Sequence, residues 1–318
     1  TVTLVFHDPS APLNHEVEAV AACARAGCVI ELRTSGTTGA PKIIRQDLAR
    51  ALARQRSGDP ADRFVLTFSP ARWAGVSVVL QCVQVGCTLI VPASLSPSDI
   101  VAACLAHQPT HLSLTPSLFR NLVLHDQTKA LRAVAFRQIT FGGETAPQSV
   151  LDLARTCWPA ARLTHTYAST EHGDICATSD GFAGFPAAKF AAHTFADGSR
   201  EGELLVGGVS TGDFWRLSAG RYHFVGRKEE IINVGGNKVS PIVVEEAAFR
   251  SGARMARAYR VASPLLGSLV ALDYVGDIAP TELRQALAAQ LPKFACPAQV
   301  NQLHDLPLSD AGKLVRTA

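Results

Sequence analysis

The chain has 318 residues, 30 Lys plus Arg against 27 Asp plus Glu, 47% apolar residues and eight cysteines. At roughly 100 to 200 residues per domain this predicts about two domains with a sizeable core. The apolar fraction excludes disorder, and the modest Gly and Pro content excludes collagen-like repetition. A net charge of +3 with no concentrated basic block argues against nucleic acid or a membrane surface as main partner, and leaves phosphate-bearing small ligands open.

No stretch approaches the roughly 18 consecutive apolar residues of a membrane span. The start, TVTLVFHDPSAPLNHE, lacks a basic region followed by an apolar run and a small-residue cleavage site. The expected location is therefore the cytoplasm. The cysteines (Cys23, Cys28, Cys82, Cys87, Cys104, Cys157, Cys176, Cys296) include two C-x4-C pairs but no C-x2-C, and read as reduced, mostly buried thiols.

In chain order, Leu13 to Ala26 reads as a helix stopped by Gly27, and Cys28 to Arg33 as a strand. A Gly-rich loop follows, then a short strand at Ile43 and Ile44 and a helix from Leu48 capped by Asp47. The pattern continues with a strand at Phe64 to Phe68, a helix ending at Gly86, a strand at Cys87 to Val91 and a helix opened by Ser96 and Pro97. Strands at His111 to Thr115, Gln138 to Phe141 and Arg162 to Tyr167 come next, with a helix entered at Pro147. Near-continuous apolar strands between helices predict an α/β fold with a mostly parallel sheet covered by helices. Such sheets bind ligands in the loops at the carboxyl ends of their strands.

After Ser169 the texture changes. Short strands at Glu203 to Val206 and Tyr222 to Val225 precede a compact stretch with a helix near Val243 to Arg250, strands at Ala258 to Val261 and Leu269 to Val275, and a helix at Pro280 to Leu291. The expected organisation is a large domain over 1–228 and a small, mobile C-terminal α+β domain over 229–318.

Five strings carry chemistry. Thr34-Ser35-Gly36-Thr37-Thr38-Gly39-Ala40-Pro41-Lys42 follows a predicted strand, and its hydroxyls, glycines and lysine suit a polyphosphate, although it is not the G-x4-G-K-[ST] loop. Phe141-Gly142-Gly143-Glu144-Thr145 ends a strand, and paired glycines permit close backbone approach to a flat ring. Thr166-Tyr167-Ala168-Ser169-Thr170-Glu171 offers an aromatic ring, hydroxyls and a carboxylate. Thr211-Gly212-Asp213 supplies an acceptor for two adjacent hydroxyls, with Gly226-Arg227 downstream. Lys313 lies in Pro307-Leu308-Ser309-Asp310-Ala311-Gly312-Lys313, where a lone lysine would ordinarily be solvated.

Together and in this order these strings resemble the adenylate-forming superfamily of acyl-CoA synthetases, peptide-synthetase adenylation domains and luciferases, whose phosphate loop reads TSGTTGxPK. The resemblance covers nearly the whole chain, and its motif style is closest to small-acid acyl-CoA synthetases. It implies ATP-dependent activation of a carboxylic acid to an acyl-adenylate with release of pyrophosphate. Transfer to a thiol follows, either CoA or the phosphopantetheine of an acyl carrier protein. It further implies that Thr34, Ser35, Gly36, Thr37, Thr38, Gly39 and Lys42 surround the phosphates, and that Gly143, Glu144, Thr145, Tyr167, Ala168 and Ser169 line the adenine and phosphate site. Thr170 would bond the α-phosphate and Glu171 would hold Mg²⁺, a hard cation that takes one or two carboxylates plus phosphate oxygens. Asp213 and Arg227 would take the ribose, Glu229 would act as hinge, and Gly235 and Gly236 would border the thiol channel. Lys313 would be catalytic, stabilising charge between carboxylate and phosphate.

Two departures stand out. Only Thr1 to Arg33 precede the phosphate loop, where the family usually has a further subdomain of well over a hundred residues. An open acid site, a homodimer that completes its wall, and a fragment are the readings this leaves. In Ser69-Pro70-Ala71-Arg72-Trp73-Ala74-Gly75, Arg72 stands where many relatives place a His, so Arg72 and Trp73 are acid-pocket candidates, with Leu114 to Leu118 and Phe141 added by location. The alternatives to an acid–thiol ligase are adenylation followed by amide formation, and a truncated non-catalytic nucleotide-binding or interaction module.

Overall fold

The computed structural model describes residues 3–6, 8, 10–33, 43–52, 58–126, 128–169, 172–308, 313 and 314. The chain divides into two compact units: Thr1–Ala146, Leu151–Gly181 and Asp310–Lys313 form the first; Pro147–Val150, Phe182–Ser309 and Leu314–Ala318 form the second. Position 228/229 lies within the second unit, in the chain between β-strands Arg221–Arg227 and Ile232–Val234, which belong to different sheets.

The elements of the first unit run in order β1 (Thr3–Phe6), α1 (Leu13–Ala26), β2 (Val29–Arg33), β3 (Ile43–Asp47), α2 (Leu48–Leu52), β4 (Arg63–Val65), α3 (Trp73–Val85), β5 (Thr88–Val91), α4 (Pro97–His107), β6 (His111–Leu114), α5 (Pro116–His125), β7 (Gln138–Phe141), α6 (Gln148–Cys157), β8 (Arg162–Ser169) and β9 (Gly173–Thr178). Seven strands form one sheet in the order β1-β5-β4-β6-β7-β8-β9, parallel except for the antiparallel β8–β9 pair. The mixed α/β architecture is as expected. Its helix ends follow the cap chemistry: Gly27 and Gly86 close α1 and α3 in the left-handed conformation, and the Ser96 hydroxyl accepts the Asp99 N–H at the start of α4.

Three departures from the expected pattern matter. The Val29–Arg33 strand does not join the parallel sheet but pairs antiparallel with Ile43–Asp47 in a separate ribbon. The alternation in VIELR explains this: Val29 and Glu31 are exposed while Leu32 is buried, the pattern of a strand with one wet face. The edge of the parallel sheet is instead Thr3–Phe6, paired with β5. Finally, Pro116–His125 is a helix absent from the expected elements, and it buries its polar Ser117, Arg120 and Asn121 along with its apolar residues.

The second unit begins with β10 (Phe185–Pro186), β11 (Thr194–Phe195), β12 (Gly202–Val206), β13 (Val209–Ser218) and β14 (Arg221–Arg227), which form a sheet in the order β10-β14-β13-β12-β11. Its apolar face is aromatic: Phe190 stacks on Tyr222 at 4.6 Å and meets Trp215 edge-on at 4.9 Å. Then come β15 (Ile232–Val234), β16 (Asn237–Val239), α7 (Pro241–Arg250), β17 (Met255–Ser263), β18 (Gly267–Val275), α8 (Pro280–Gln290) and β19 (Gln299–Gln302). Here the order is β16-β15-β18-β17, with β19 parallel to β18. Leu272, Tyr274, Val244, Leu283 and Leu287 form its core.

Candidate active site

In the first unit the site is built at the carboxyl ends of β6 and β7, the end of a parallel sheet where ligands bind. β6 ends at Leu114, and the next residue, Thr115, caps α5 by accepting the Leu118 N–H at 3.0 Å. β7 ends at Phe141, which is buried and meets Phe119 edge-on at 5.2 Å, so Leu114 and Phe141 are core residues. The chain then turns through Gly142 and Gly143. A β-carbon on Gly142 would come within 2.9 Å of the Thr166 hydroxyl, and Gly143 has a φ of +78°, which favours glycine.

Lys313, Gly143 and Thr115 converge there. From the point where a Gly143 β-carbon would sit, Lys313 Cε is 3.3 Å away, Thr115 Cγ2 3.5 Å and Lys313 Nζ 3.9 Å. Glu144 faces differently: its carboxylate accepts the Ser117 N–H at 3.0 Å, holding a second orphan donor at the start of α5. Thr115 lies within the 114–118 stretch named as an acid-pocket candidate by location. Its sequence signal was the Thr-Pro pair that opens a helix.

Beside this turn, β8 carries Tyr167, Ala168 and Ser169, in register with Cys176, Asp174 and Gly173 of β9. The register shifts between Tyr167 and Ala168, so Ala168 sits at an irregular point of a strand. Ser169 is held by His172, whose Nδ1 lies 3.0 Å from its hydroxyl and whose N–H donates to it at 3.1 Å. Thr34, Ser35, Gly36, Thr37, Thr38, Gly39, Lys42, Thr170 and Glu171 lie outside the described residues. The flanks of the 34–42 stretch are described: Arg33 is opposite Ile43 across the β2–β3 ribbon, and a Glu31–Arg45 pair at 2.9 Å spans it. Of the acid-pocket candidates, Arg72 occupies the N-cap position of α3 without a side-chain capping bond, and Trp73 packs against the cluster around Leu32, Leu48 and Leu80. Among the described residues no group of three or more His, Cys, Asp or Glu is placed to hold a metal ion.

In the second unit, Asp213 on β13 is opposite Arg227 on β14, and the Arg227 Nε donates to its Oδ1 at 3.1 Å. The Asp213 carboxylate is buried. Burial opposes the Arg227 charge, but Asp213, Glu230 and Glu229 outweigh it and raise the guanidinium pKa above its ordinary value. Glu229 follows in the turn whose Glu230 N–H donates to the Arg227 carbonyl at 3.0 Å. Gly235 and Gly236 form the β15–β16 turn with φ of +56° and +89°, and Leu266 packs on Gly235.

A family profile described as AMP-binding enzyme matches residues 28–210, more than half of the chain. The chain belongs to this family. It is similar to the 3,4-dihydroxybenzoate–[aryl-carrier protein] ligase of Bacillus anthracis, 33% identical over 109 residues that make up 34% of this chain and 26% of that protein. Among solved structures it resembles the amide bond synthetase McbA of Marinactinospora thermotolerans, with a TM-score of 0.69, 21% identity and coverage of 88% of this chain and 66% of that one. It also resembles o-succinylbenzoate coenzyme A synthetase of Bacillus subtilis in complex with ATP and magnesium ion, with a TM-score of 0.65, 22% identity and coverage of 90% and 68%. The chain thus spans about a quarter of that curated relative and about two thirds of each solved structure. These likenesses establish the adenylate-forming fold. No helix among the described residues is long and apolar enough to cross a membrane.

Proposed function

We propose that the chain activates a small carboxylic acid with ATP, forming an acyl-adenylate and pyrophosphate, and passes the acyl group to a thiol. The observation that carries this reading is Lys313 packed on the Gly143 turn at the carboxyl end of the sheet. A lysine with only a solvated role has no reason to lie against a glycine turn at a ligand-binding edge. There its charge would offset the negative charge that builds up as carboxylate and α-phosphate meet.

In this reading Asp213, with one oxygen held by Arg227, accepts from the ribose hydroxyls, and the 34–42 loop receives the phosphates. Glu171 holds Mg²⁺, which when bound neutralises phosphate charge. The module from Glu229 onward turns between the two half-reactions, with Gly235 and Gly236 beside the thiol path. The acceptor is the open part: the three similar proteins are named for a carrier protein, an amide and coenzyme A. We place CoA or a carrier-protein pantetheine first and an amine second.

Acid-dependent exchange of pyrophosphate into ATP, screened over aryl, short acyl and dicarboxylic acids, tests the first half. Exchange with at least one acid supports it, and no exchange across the panel favours a non-catalytic nucleotide-binding module. With the active acid, AMP release dependent on CoA, on a carrier protein or on an amine assigns the acceptor.

A further inference from the structure

The two C-x4-C pairs turn out to be the same local structure used twice. Each spans the end of a helix, Cys23-Ala24-Arg25-Ala26-Gly27-Cys28 at α1 and Cys82-Val83-Gln84-Val85-Gly86-Cys87 at α3, with the glycine left-handed at φ of 68° and 77°. In each, the second cysteine's N–H donates to the carbonyl of the first, at 3.0 Å for Cys28 to Cys23 and 3.2 Å for Cys87 to Cys82. This is the six-residue closure in which the side chains of the bonded pair meet on one side of the helix end. A 3.0 Å bond holds the two Cα atoms within about 7 Å, inside the limit beyond which a disulfide cannot close without backbone movement.

Burial, and then the neighbouring Cys28, raises the Cys23 pKa above its ordinary value. The pairs differ in access: Cys82 and Cys87 are buried in the core between α3 and the sheet, whereas Cys23 and Cys28 are both partly exposed. Their position also differs. Cys28 immediately precedes β2, and its carbonyl accepts the Leu48 N–H at 3.1 Å, so it ties down the base of the ribbon whose strands flank residues 34–42.

We propose that Cys23 and Cys28 form an accessible dithiol modification site that takes low-molecular-weight disulfides, while Cys82 and Cys87 are its shielded duplicate. One cysteine thiolate attacks a sulfur of the small disulfide, forming a mixed disulfide and releasing one thiolate that is protonated to the free thiol. The second cysteine, deprotonated, attacks the protein sulfur of that mixed disulfide, closes the Cys23–Cys28 bond and releases a second small thiol. Two protein thiols are oxidised and one small disulfide is reduced to two thiols. The helix end positions the pair, so closing the ring requires little rearrangement.

The test equilibrates the folded protein with reduced and oxidised glutathione, quenches with acid, alkylates and maps peptides. Trypsin cuts after Arg25, so Cys23 and Cys28 fall on separate peptides joined only by their disulfide, whereas Cys82 and Cys87 share one peptide. The expected result is a Cys23–Cys28 cross-link whose formation constant is at least about tenfold larger in the folded chain than in urea, because the fold holds the thiols together. Cys82 and Cys87 stay reduced and alkylate only after unfolding. Cys28→Ser should leave a glutathione adduct on Cys23 instead of a cross-link. A constant no larger than in urea, two separate glutathione adducts, unmodified Cys23 and Cys28, or equal oxidation of Cys82 and Cys87 in the folded state would each overturn the proposal.

Discussion

Lys313 lies against Gly143, its Cε 3.3 Å and its Nζ 3.9 Å from the point where a β-carbon on Gly143 would sit. The φ of +78° favours glycine, and a β-carbon there would oblige the lysine stem to give by a few tenths of an ångström. Gly143→Ala should lose about 1 to 2 kcal/mol of stability from the left-handed backbone alone. It should also slow acid-dependent pyrophosphate exchange by at least about tenfold, equivalent to about 1.4 kcal/mol, because the methyl group displaces Lys313. Urea unfolding and exchange assays measure the two effects separately. Exchange at the wild-type rate in a folded variant would show that the lysine does not need this position.

Removing the charge tests its role directly. Lys313→Ala should lower adenylation by roughly 100- to 1,000-fold, the range seen when one preorganised stabiliser of developing charge is lost. Thioester formation from supplied acyl-adenylate should be nearly unaffected, since by then the phosphate no longer has to be approached. Single-turnover assays of each half-reaction distinguish them, and adenylation near the wild-type rate would remove Lys313 from the chemistry.

Elements bounded by strong caps were readable from local chemistry. Gly27, Gly86 and Ser96 mark the ends that the structure uses. The failures share a cause, which is that tertiary surroundings decided the element. α5 buries Ser117, Arg120 and Asn121, which a polar face would ordinarily expose, and Thr3–Phe6 is too short to declare itself without β5 beside it. The site was legible as a series of strings read by resemblance, but its assembly was not. Thr115, Gly143 and Lys313 come from three distant segments, and nothing local to Glu144 indicates that its carboxylate holds the start of α5.

That contact makes Glu144 a stability residue whatever else it does. Glu144→Ala should cost about 1 kcal/mol, as loss of a side-chain acceptor at a helix start does. Glu144→Gln, which keeps the acceptor and loses the charge, should cost less, about 0.3 to 1 kcal/mol. Urea unfolding midpoints decide this, and an unchanged midpoint in the alanine variant would mean that the Ser117 N–H is satisfied without Glu144.

At the opposite end of the sheet, His111 stacks on Phe64 at 4.4 Å with its Nδ1 2.9 Å from the Thr110 hydroxyl. Burial lowers its pKa, Asp62 opposes that shift, and Arg137 reinforces it. Above about pH 6.5 the imidazole is neutral in both folded and unfolded chains and contributes no pH dependence. As pH falls below that value the unfolded chain takes up the proton and the native one resists, so stability declines until the pH passes below the lowered folded pKa. His111→Phe should flatten the stability curve below about pH 6.5. A slope identical to the wild type's would place the effect elsewhere.

The tightest packing constraint lies in the stretch Ser69 to Gly75. A β-carbon on Gly75 would sit 2.2 Å from the Ser69 carbonyl oxygen and 2.5 Å from its carbon, both backbone atoms that no rotamer change can move. Gly75 is also buried in the first turn of α3, between the turn at Ser69 and the Val76–Leu80 core stripe. The alanine variant must therefore shift either the helix or the preceding turn. The expected cost is at or above the top of the about 1 to 3 kcal/mol usual for overpacking, seen as a large drop in urea midpoint or as loss of the folded state. Gly58→Ala is the comparison, since its new methyl would meet side-chain atoms of Val85 at 3.0 Å rather than backbone at 2.2 Å and should cost less. Equal losses in the two variants would show that α3 can slide along the sheet, and that the glycine is not what fixes Arg72 and Trp73 at its start.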